Sequence, residues 1–186
     1  NALLGFKELA YTGTADDFSV SVTTALGLAK SHAVTTNSDN TITRTHIGTN
    51  GLTTTVEYGN NGSTTTTSPE GMVMATTVEG DSRFGLQAPL TNSQTVTTPS
   101  GLELSITTDQ TNVLSGADDF TLSTQTTTTN INGDEFVTVF DNTANTFTQT
   151  SAEGRVVSQT LDDVGRVLTT SLSGLDTVSY SYTSSG

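Results

Sequence analysis

Glycine-containing turns divide the region from Thr146 to Gly186 into short runs, and this spacing is the strongest constraint on the fold. The runs are roughly ten residues long and rich in Val, Leu, Thr and Tyr. Such residues favour strands, and no run shows the apolar stripe of an amphipathic helix. Glycine supplies the positive φ angles that tight hairpin turns require. The region therefore predicts a series of β-hairpins with corners at Gly154, Gly165, Gly174 and Gly186.

The segment Thr177–Tyr182 alternates between polar and apolar residues. Val178, Tyr180 and Tyr182 fall on one face of the predicted strand, as the two-residue period of a strand requires. The segment contains no charge and no proline, which are features that protect sheet edges from pairing. We therefore expect an exposed edge strand that pairs with another copy of the chain, and we expect Tyr180→Pro to reduce that self-association.

The turn Leu161–Arg166 belongs to a pattern that recurs about every twenty residues. Phe140-Asp141 lies one period earlier, and Tyr182-Thr183-Ser184-Ser185-Gly186 lies one period later. The pattern resembles the Tyr-Asp-x-x-Gly-Arg signature of the RHS/YD-repeat family, with Leu161 in place of the Tyr. The resemblance covers residues 126–186. Its signature positions, to which we assign a structural role, are Leu161, Asp162, Gly165, Arg166, Gly154, Arg155, Gly174, Tyr180 and Tyr182.

The resemblance implies a structural protein. Repeats of this family spiral into a large hollow β-shell, at a cell surface or in a secreted toxin, and the shell often encloses an effector. The implied partners are neighbouring repeats of the same or identical chains, and either an enclosed effector or a surface polysaccharide. The self-cleaving aspartate site of the family has no counterpart here, so the resemblance does not extend to cleavage.

Two longer stretches share one order of features, which indicates an internal duplication. Asn50–Val73 and Asn132–Val156 each contain an Asn-Gly turn, a strand that ends in an aromatic residue, a Thr-rich strand and a Ser-x-Glu-Gly turn. The sequence thus predicts related units at about 11–86 and 114–186, with an extra hairpin at about 87–113. We expect one all-β, continuous and curved antiparallel sheet, and a chain that is a fragment of a longer one.

Two local predictions concern strand ends. Ala25–Lys30 tolerates a helix, but Gly27 and the flanking threonines favour a strand. An Asp-Asp-Phe sequence occurs twice, and in both copies we expect the phenylalanine, Phe18 or Phe120, to begin a strand that follows a polar turn.

Composition excludes several classes of partner. The 186 residues carry a net charge of −13, with six Lys and Arg in total, so a nucleic-acid interface has no basic patch to use. Thr forms about a fifth of the chain and hydrophobic residues 32 %, which fits a sheet with one wet face. There are no cysteines, which excludes disulfides. No stretch is apolar enough to predict a membrane span.

The residues that carry chemistry in other proteins do not converge in this sequence. His32 and His46 show no His-x-x-x-His spacing, and we expect each to be a surface or strand histidine. The acidic pairs, and Asn37–Asn40 with its loosely calcium-like composition, are interpreted as turns. We expect Arg155 and Arg166 to pair with nearby carboxylates or cross-strand carbonyls. The pairs are Asp16/Asp17, Asp118/Asp119 and Asp162/Asp163; the sequence predicts no catalytic residue, metal or cofactor.

Three functions remain open at this point. The first is a non-catalytic wall segment of a secreted or cell-surface shell. The second is a module that binds carbohydrate or protein, for which a row of outward aromatic side chains is the distinguishing feature. The third is a subunit of an extracellular fibre that assembles by edge-strand pairing. An enzyme is not expected.

Overall fold

The computed structural model describes residues 5–183, and in this part of the chain the fold is all β. Fifteen antiparallel strands form one open sheet in sequence order, with β1 and β15 at its edges. The prediction of an all-β sheet of antiparallel hairpins is confirmed. The strands are β1 (Lys7–Gly13), β2 (Phe18–Thr24), β3 (Ala29–Thr36), β4 (Ile42–Ile47), β5 (Thr53–Tyr58), β6 (Thr64–Thr67), β7 (Val73–Asp81), β8 (Gly85–Thr97), β9 (Glu103–Leu114), β10 (Leu122–Ile131), β11 (Asp134–Asp141), β12 (Thr146–Thr150), β13 (Val156–Leu161), β14 (Val167–Leu172) and β15 (Val178–Ser179).

The chain forms two compact units. The first consists of the residues up to Val78 together with Ser93–Leu104. The second consists of Glu79–Asn92 together with the chain from Ser105 onward. The bounds fall within β7, β8 and β9 and not in a linker. The sequence-based division into related units at 11–86 and 114–186 stays a prediction.

Eight of the hairpin turns share one backbone hydrogen-bond pattern. In the turn Ser151–Gly154, the N–H of Gly154 donates to the carbonyl of Ser151 at 2.8 Å, and the N–H of Ser151 donates to the carbonyl of Arg155 at 2.9 Å. Gly154 has φ 75°, so the loop is a type I turn followed by a left-handed residue. The eight turns are 24–27, 37–40, 48–51, 59–62, 68–71, 98–101, 151–154 and 162–165.

A side chain accepts the N–H that follows the left-handed residue in all eight turns. In five turns the acceptor is the first residue, as where the N–H of Arg155 donates to Oγ of Ser151 at 3.2 Å. In the other three, the third residue accepts, as where the N–H of Leu52 donates to Oδ1 of Asn50 at 3.1 Å. The repeated Ser, Thr, Asp or Asn near each turn glycine is therefore explained by one backbone donor that needs a partner.

The Asn132-Gly133 turn is of a different kind. Asn132 and Gly133 have φ 53° and 102°, and they alone separate the paired residues Ile131 and Asp134. Two successive positive φ angles are typical of a type I′ turn, whose twist matches that of the flanking strands. The Asn-Gly turns expected here and at Asn50 are both present.

Three local predictions are wrong. Ala25–Lys30 is not one strand, because Gly27, at φ 78°, closes the turn between β2 and β3. Phe120 does not begin a strand, because Oδ1 of Asp118 accepts its N–H at 3.0 Å and extends the turn. The strand expected at Thr177–Tyr182 is limited to Val178–Ser179. The corner predicted at Gly186 and the repeat copy through Ser184 and Ser185 lie outside the described residues.

The two faces of the sheet in the first unit differ in chemistry. Register places residues of even number in β2 to β5 on one face, together with the odd-numbered residues of β1. The apolar face carries Leu9, Tyr11, Phe18, Val20, Val22, Val34, Ile42, Val56 and Tyr58. The hydroxyl face carries Ser19, Ser21, Ser31, Thr43, Thr45, Thr53, Thr55, Thr65 and Thr67.

No hydrophobic side chain is buried in residues 5–183. All of the strands lie within the sheet, and a sheet buries an apolar face only when another layer covers it. The apolar side chains of each face are therefore half-buried by their neighbours at best. Cross-strand pairs and turns, not a core, hold these elements together.

Candidate functional site

Asp162 closes the predicted signature turn. Its Oδ1 accepts the N–H of Val164 at 3.0 Å and the N–H of Arg166 at 2.8 Å, and its Oδ2 lies 2.7 Å from Nε of Arg166. The hydrogen bond from the N–H of Arg166 is the main reason that the pKa of Asp162 lies below its ordinary value. The Asp and Arg of the pattern are thus joined across one turn, with Gly165 as its left-handed residue and Leu161 at the end of β13.

The last described residues fold back onto β14. The guanidinium of Arg166 lies over the ring of Tyr182 at 4.5 Å, and the hydroxyl of Tyr182 donates to the carbonyl of Val167 at 2.7 Å. The N–H of Tyr180 donates to the carbonyl of Leu168 at 2.8 Å. The backbone donor of Tyr180 is therefore used within the chain. Tyr180→Pro would remove this donor to β14, and its expected effect on self-association stays a prediction.

The other signature residues also lie in turns. Arg155 pairs with Glu153 at 3.4 Å, with both side chains about three-quarters exposed, so the pair contributes little to stability. Both arginines pair with carboxylates, as the sequence predicts. Gly174, at φ 85°, lies in the turn where the N–H of Leu175 donates to the carbonyl of Leu172 at 2.9 Å.

Asp81, at the end of β7, is the one buried residue of the described chain and is 5 % exposed. Its Oδ1 accepts the N–H groups of Arg83 at 2.7 Å and Phe84 at 3.3 Å, and Nε of Arg83 at 3.3 Å. Burial pushes the pKa of Asp81 upward. The hydrogen bonds and charge of Arg83 outweigh burial, so that this pKa lies below its ordinary value.

The Asp81 cluster continues onto β9 and β10. Nδ2 of Asn112 lies 3.4 Å from Oδ2 of Asp81 and 3.0 Å from Oγ of Ser82, and Nε2 of Gln125 donates to Oδ1 of Asn112 at 3.0 Å. These polar groups satisfy one another and form a structural connection. The sequence gives no local signal for the cluster, because Asn112 lies 31 residues from Asp81 and Gln125 lies 13 residues further along the chain.

A pair of aromatic rings lies beside the same turn. The rings of Phe84 and Phe120 are 5.4 Å apart, and the guanidinium of Arg83 lies over Phe84 at 4.8 Å. Phe120, although 82 % exposed, thereby contacts the turn between β7 and β8. Phe120 therefore packs against a neighbouring turn, which its predicted position at the start of a strand does not suggest.

His32 and His46 form a close pair that their spacing in sequence conceals. They are directly opposite each other on β3 and β4, their Nδ1 atoms are 3.2 Å apart, and their ring centroids are 4.3 Å apart. A shallow hollow of about 150 Å³ lies beside them, lined also by Val34, Arg44 and Val56. Both residues are exposed strand histidines, as expected, but their spacing in sequence does not reveal the contact, which depends on the register of the hairpin.

The acidic pairs lie in turns, as predicted. Oδ1 of Asp17 accepts the N–H of Thr36 at 2.6 Å. In the turn Asn37–Asn40, Asp39 accepts the hydroxyl of Thr41 at 2.8 Å and its N–H at 3.1 Å, and these bonds lower the pKa of Asp39. Oδ1 of Asp39 is therefore engaged in closing the loop.

The aromatic side chains of the apolar face do not form a row. Tyr11 and Phe18 stack at 5.8 Å on β1 and β2, whereas Tyr58 lies on β5. In the second unit, Phe140 and Phe147 are cross-strand partners. Tyr11, Phe18 and Tyr58 of the first unit therefore do not form the row of outward aromatic side chains that would distinguish a carbohydrate-binding face.

Comparison with known proteins identifies no relative of this chain, so any assignment of function depends on the fold. No protein-family model matches the chain, and no curated protein matches it. Between residues 5 and 183, no three His, Asp or Glu side chains are grouped so that they could hold a metal ion. Within the same residues there is no helix with the length and apolar character that crossing a membrane requires.

Proposed function

We propose that the chain is a non-catalytic wall segment of a secreted or cell-surface protein of the RHS/YD-repeat kind. The observation that carries the proposal is the turn that recurs eight times with the same hydrogen bonds and the same side-chain acceptor. A recurring turn between short strands is what a repeat-built wall requires, because each repeat is stabilised by its neighbours. The pairing of Asp162 with Arg166 within one such turn supports the resemblance.

Protease treatment of intact producing cells tests this function. A tag between Gly116 and Ala117, which are exposed and lie outside the eight repeated turns, allows the protein to be followed. We expect the tagged protein in the medium or on the cell surface, and we expect protease to remove the surface fraction while a cytosolic marker survives. A tagged protein that is retained inside cells and protected with the marker would contradict the proposal.

Assembly through β1 is a second candidate, favoured by the exposure of that strand. All seven residues of β1 are exposed, and Leu9 is 71 % exposed. The N–H of Ala25 donates to the carbonyl of Phe6, so even-numbered residues bond toward β2 and the N–H groups of Leu9 and Tyr11 point outward. In the described chain β1 therefore offers a longer free ladder than the edge predicted at Thr177–Tyr182.

Light scattering of paired proline variants tests the second candidate. Leu9→Pro removes an outward donor, and we expect it to reduce self-association without a large loss of stability. Ala10→Pro, the matched control, removes an inward donor to β2 and should lower stability. A wild-type chain that stays monomeric at high micromolar concentration would refute assembly through this edge.

A further inference from the structure

The register of the β3–β4 hairpin explains why the two imidazoles lie so close. The N–H of Asn37 donates to the carbonyl of Thr41, so the odd-numbered residues of β3 are the ones that exchange hydrogen bonds with β4. His32 and His46 therefore form a pair that exchanges none. Side chains approach most closely at such pairs. The backbone register of the hairpin therefore brings the two imidazole rings together.

The two nitrogens are spaced for a shared cation. Their Nδ1 atoms lie 3.2 Å apart, which is within hydrogen-bond distance. A zinc-like ion bonds to imidazole nitrogen at about 2.0–2.1 Å, and two such bonds across this gap meet at roughly 100°. That angle is close to tetrahedral. The rings are stacked with planes that differ by 28°, and binding of one ion by both rings requires rotation about their Cβ–Cγ bonds, a torsion that is soft in histidine.

We propose that His32 and His46 form a two-histidine site for a divalent transition ion, of the class that imidazole prefers: Cu²⁺, Ni²⁺ or Zn²⁺. Water completes the coordination, since both side chains are exposed. Arg44, on the same face, is engaged with the ring of Tyr58 at 4.9 Å. Lys30 lies two residues from His32 on that face, and its charge weakens the site. The bound ion would clamp β3 to β4.

Calorimetric titration with Zn²⁺ and visible absorption with Cu²⁺ test the site. The sequence has two histidines and no cysteine, so any imidazole-bound signal comes from this pair. We expect one equivalent to bind and to raise the melting temperature with increasing metal. His32→Ala or His46→Ala should weaken binding by about tenfold or more, in line with the losses known for perturbed metal sites. Mg²⁺, which prefers oxygen ligands, should not compete.

A face-swapped variant is the matched control. Thr45→His combined with His46→Thr keeps two histidines but moves one to the hydroxyl face, because Thr45 is opposite Ala33. We expect this variant to fold, which circular dichroism checks. We expect its affinity for Zn²⁺ and Cu²⁺ to be as low as that of the single alanine variants. Equal affinity in the face-swapped and wild-type chains would overturn the proposal. Wild-type binding that survives in His32→Ala/His46→Ala, or no wild-type binding at millimolar metal, would also overturn it.

Discussion

At the scale of single residues, Asp81 has an environment unlike that of any other described carboxylate. A buried carboxylate is costly unless hydrogen bonds and an opposite charge compensate for the lost water. Arg83 supplies a backbone donor, side-chain donors and a positive charge, and Asn112 adds a contact from β9. Because apolar burial is slight throughout, this cluster carries more of the local stability than a similar cluster would beside a large core.

Asp81→Ala should therefore destabilise the protein by about 1–3 kcal/mol, since it leaves Arg83 and two backbone donors without their acceptor. Asp163→Ala is the control, because Asp163 is exposed in its turn, and such changes usually stay within about 0.5 kcal/mol. Urea unfolding of both variants measures the difference. Equal stabilities for the two variants would show that the cluster is not stabilising.

The carboxylate of Asp81 makes the stability of the protein depend on pH. Its pKa in the folded protein lies below the ordinary 3.8, so its contribution is complete above that value and is lost as the pH falls through the folded-state pKa. We expect the stability difference between wild type and Asp81→Asn to shrink below about pH 4. Unfolding curves measured from neutral to acidic pH check this. A difference that stays constant into strong acid would contradict it.

At the scale of elements, the repeated turn carries the specificity of the fold. Its fourth residue is left-handed in every copy, and it is Gly in seven turns and Asn40, at φ 64°, in one. The N–H after it always meets a side-chain oxygen, as at Ser151. Each turn therefore encodes its own geometry locally, and the lengths of the strands, from two to thirteen residues, follow from the distance between turns.

Gly154→Ala should cost about 1–2 kcal/mol, because a side chain at positive φ is strained although open space surrounds the position. Gly154→Asn should cost less, because Asn tolerates this conformation and occupies it at Asn40. Thermal melts of the two variants give the order. Equal melting temperatures for the two variants would show that the left-handed backbone at Gly154 does not limit which residue the turn accepts.

How much the sequence predicts depends on whether a feature is local. The turns at Gly154, Gly165 and Gly174 are predictable because their geometry is set by a few adjacent residues. The contact between His32 and His46 and the Asp81 cluster are not, since they require a register between strands that no short motif specifies. The extent of β15 also escapes prediction, because Tyr182 turns its hydroxyl to Val167 where alternation suggests a strand.

At the scale of the whole molecule, each strand of the sheet lies beside its neighbours in sequence. Stability in such an arrangement is a sum of local pairings, each dependent on the next. The described residues contain no buried hydrophobic side chain, so a change in one pairing cannot be compensated by a common core. Register between successive strands is therefore the property that most directly defines this protein.

Disulfide trapping measures that register. The chain has no native cysteine, so any disulfide forms between the introduced residues. Ser21 and Ser31 are opposite each other on β2 and β3, at a pair that exchanges no hydrogen bonds, where Cα atoms lie about 4.5 Å apart and a disulfide fits. We expect rapid oxidation of Ser21→Cys/Ser31→Cys and little oxidation of Ser21→Cys/Ala33→Cys, because Ala33 is not opposite Ser21. Equal cross-linking of both, or preferential cross-linking of the second, would contradict the sheet described.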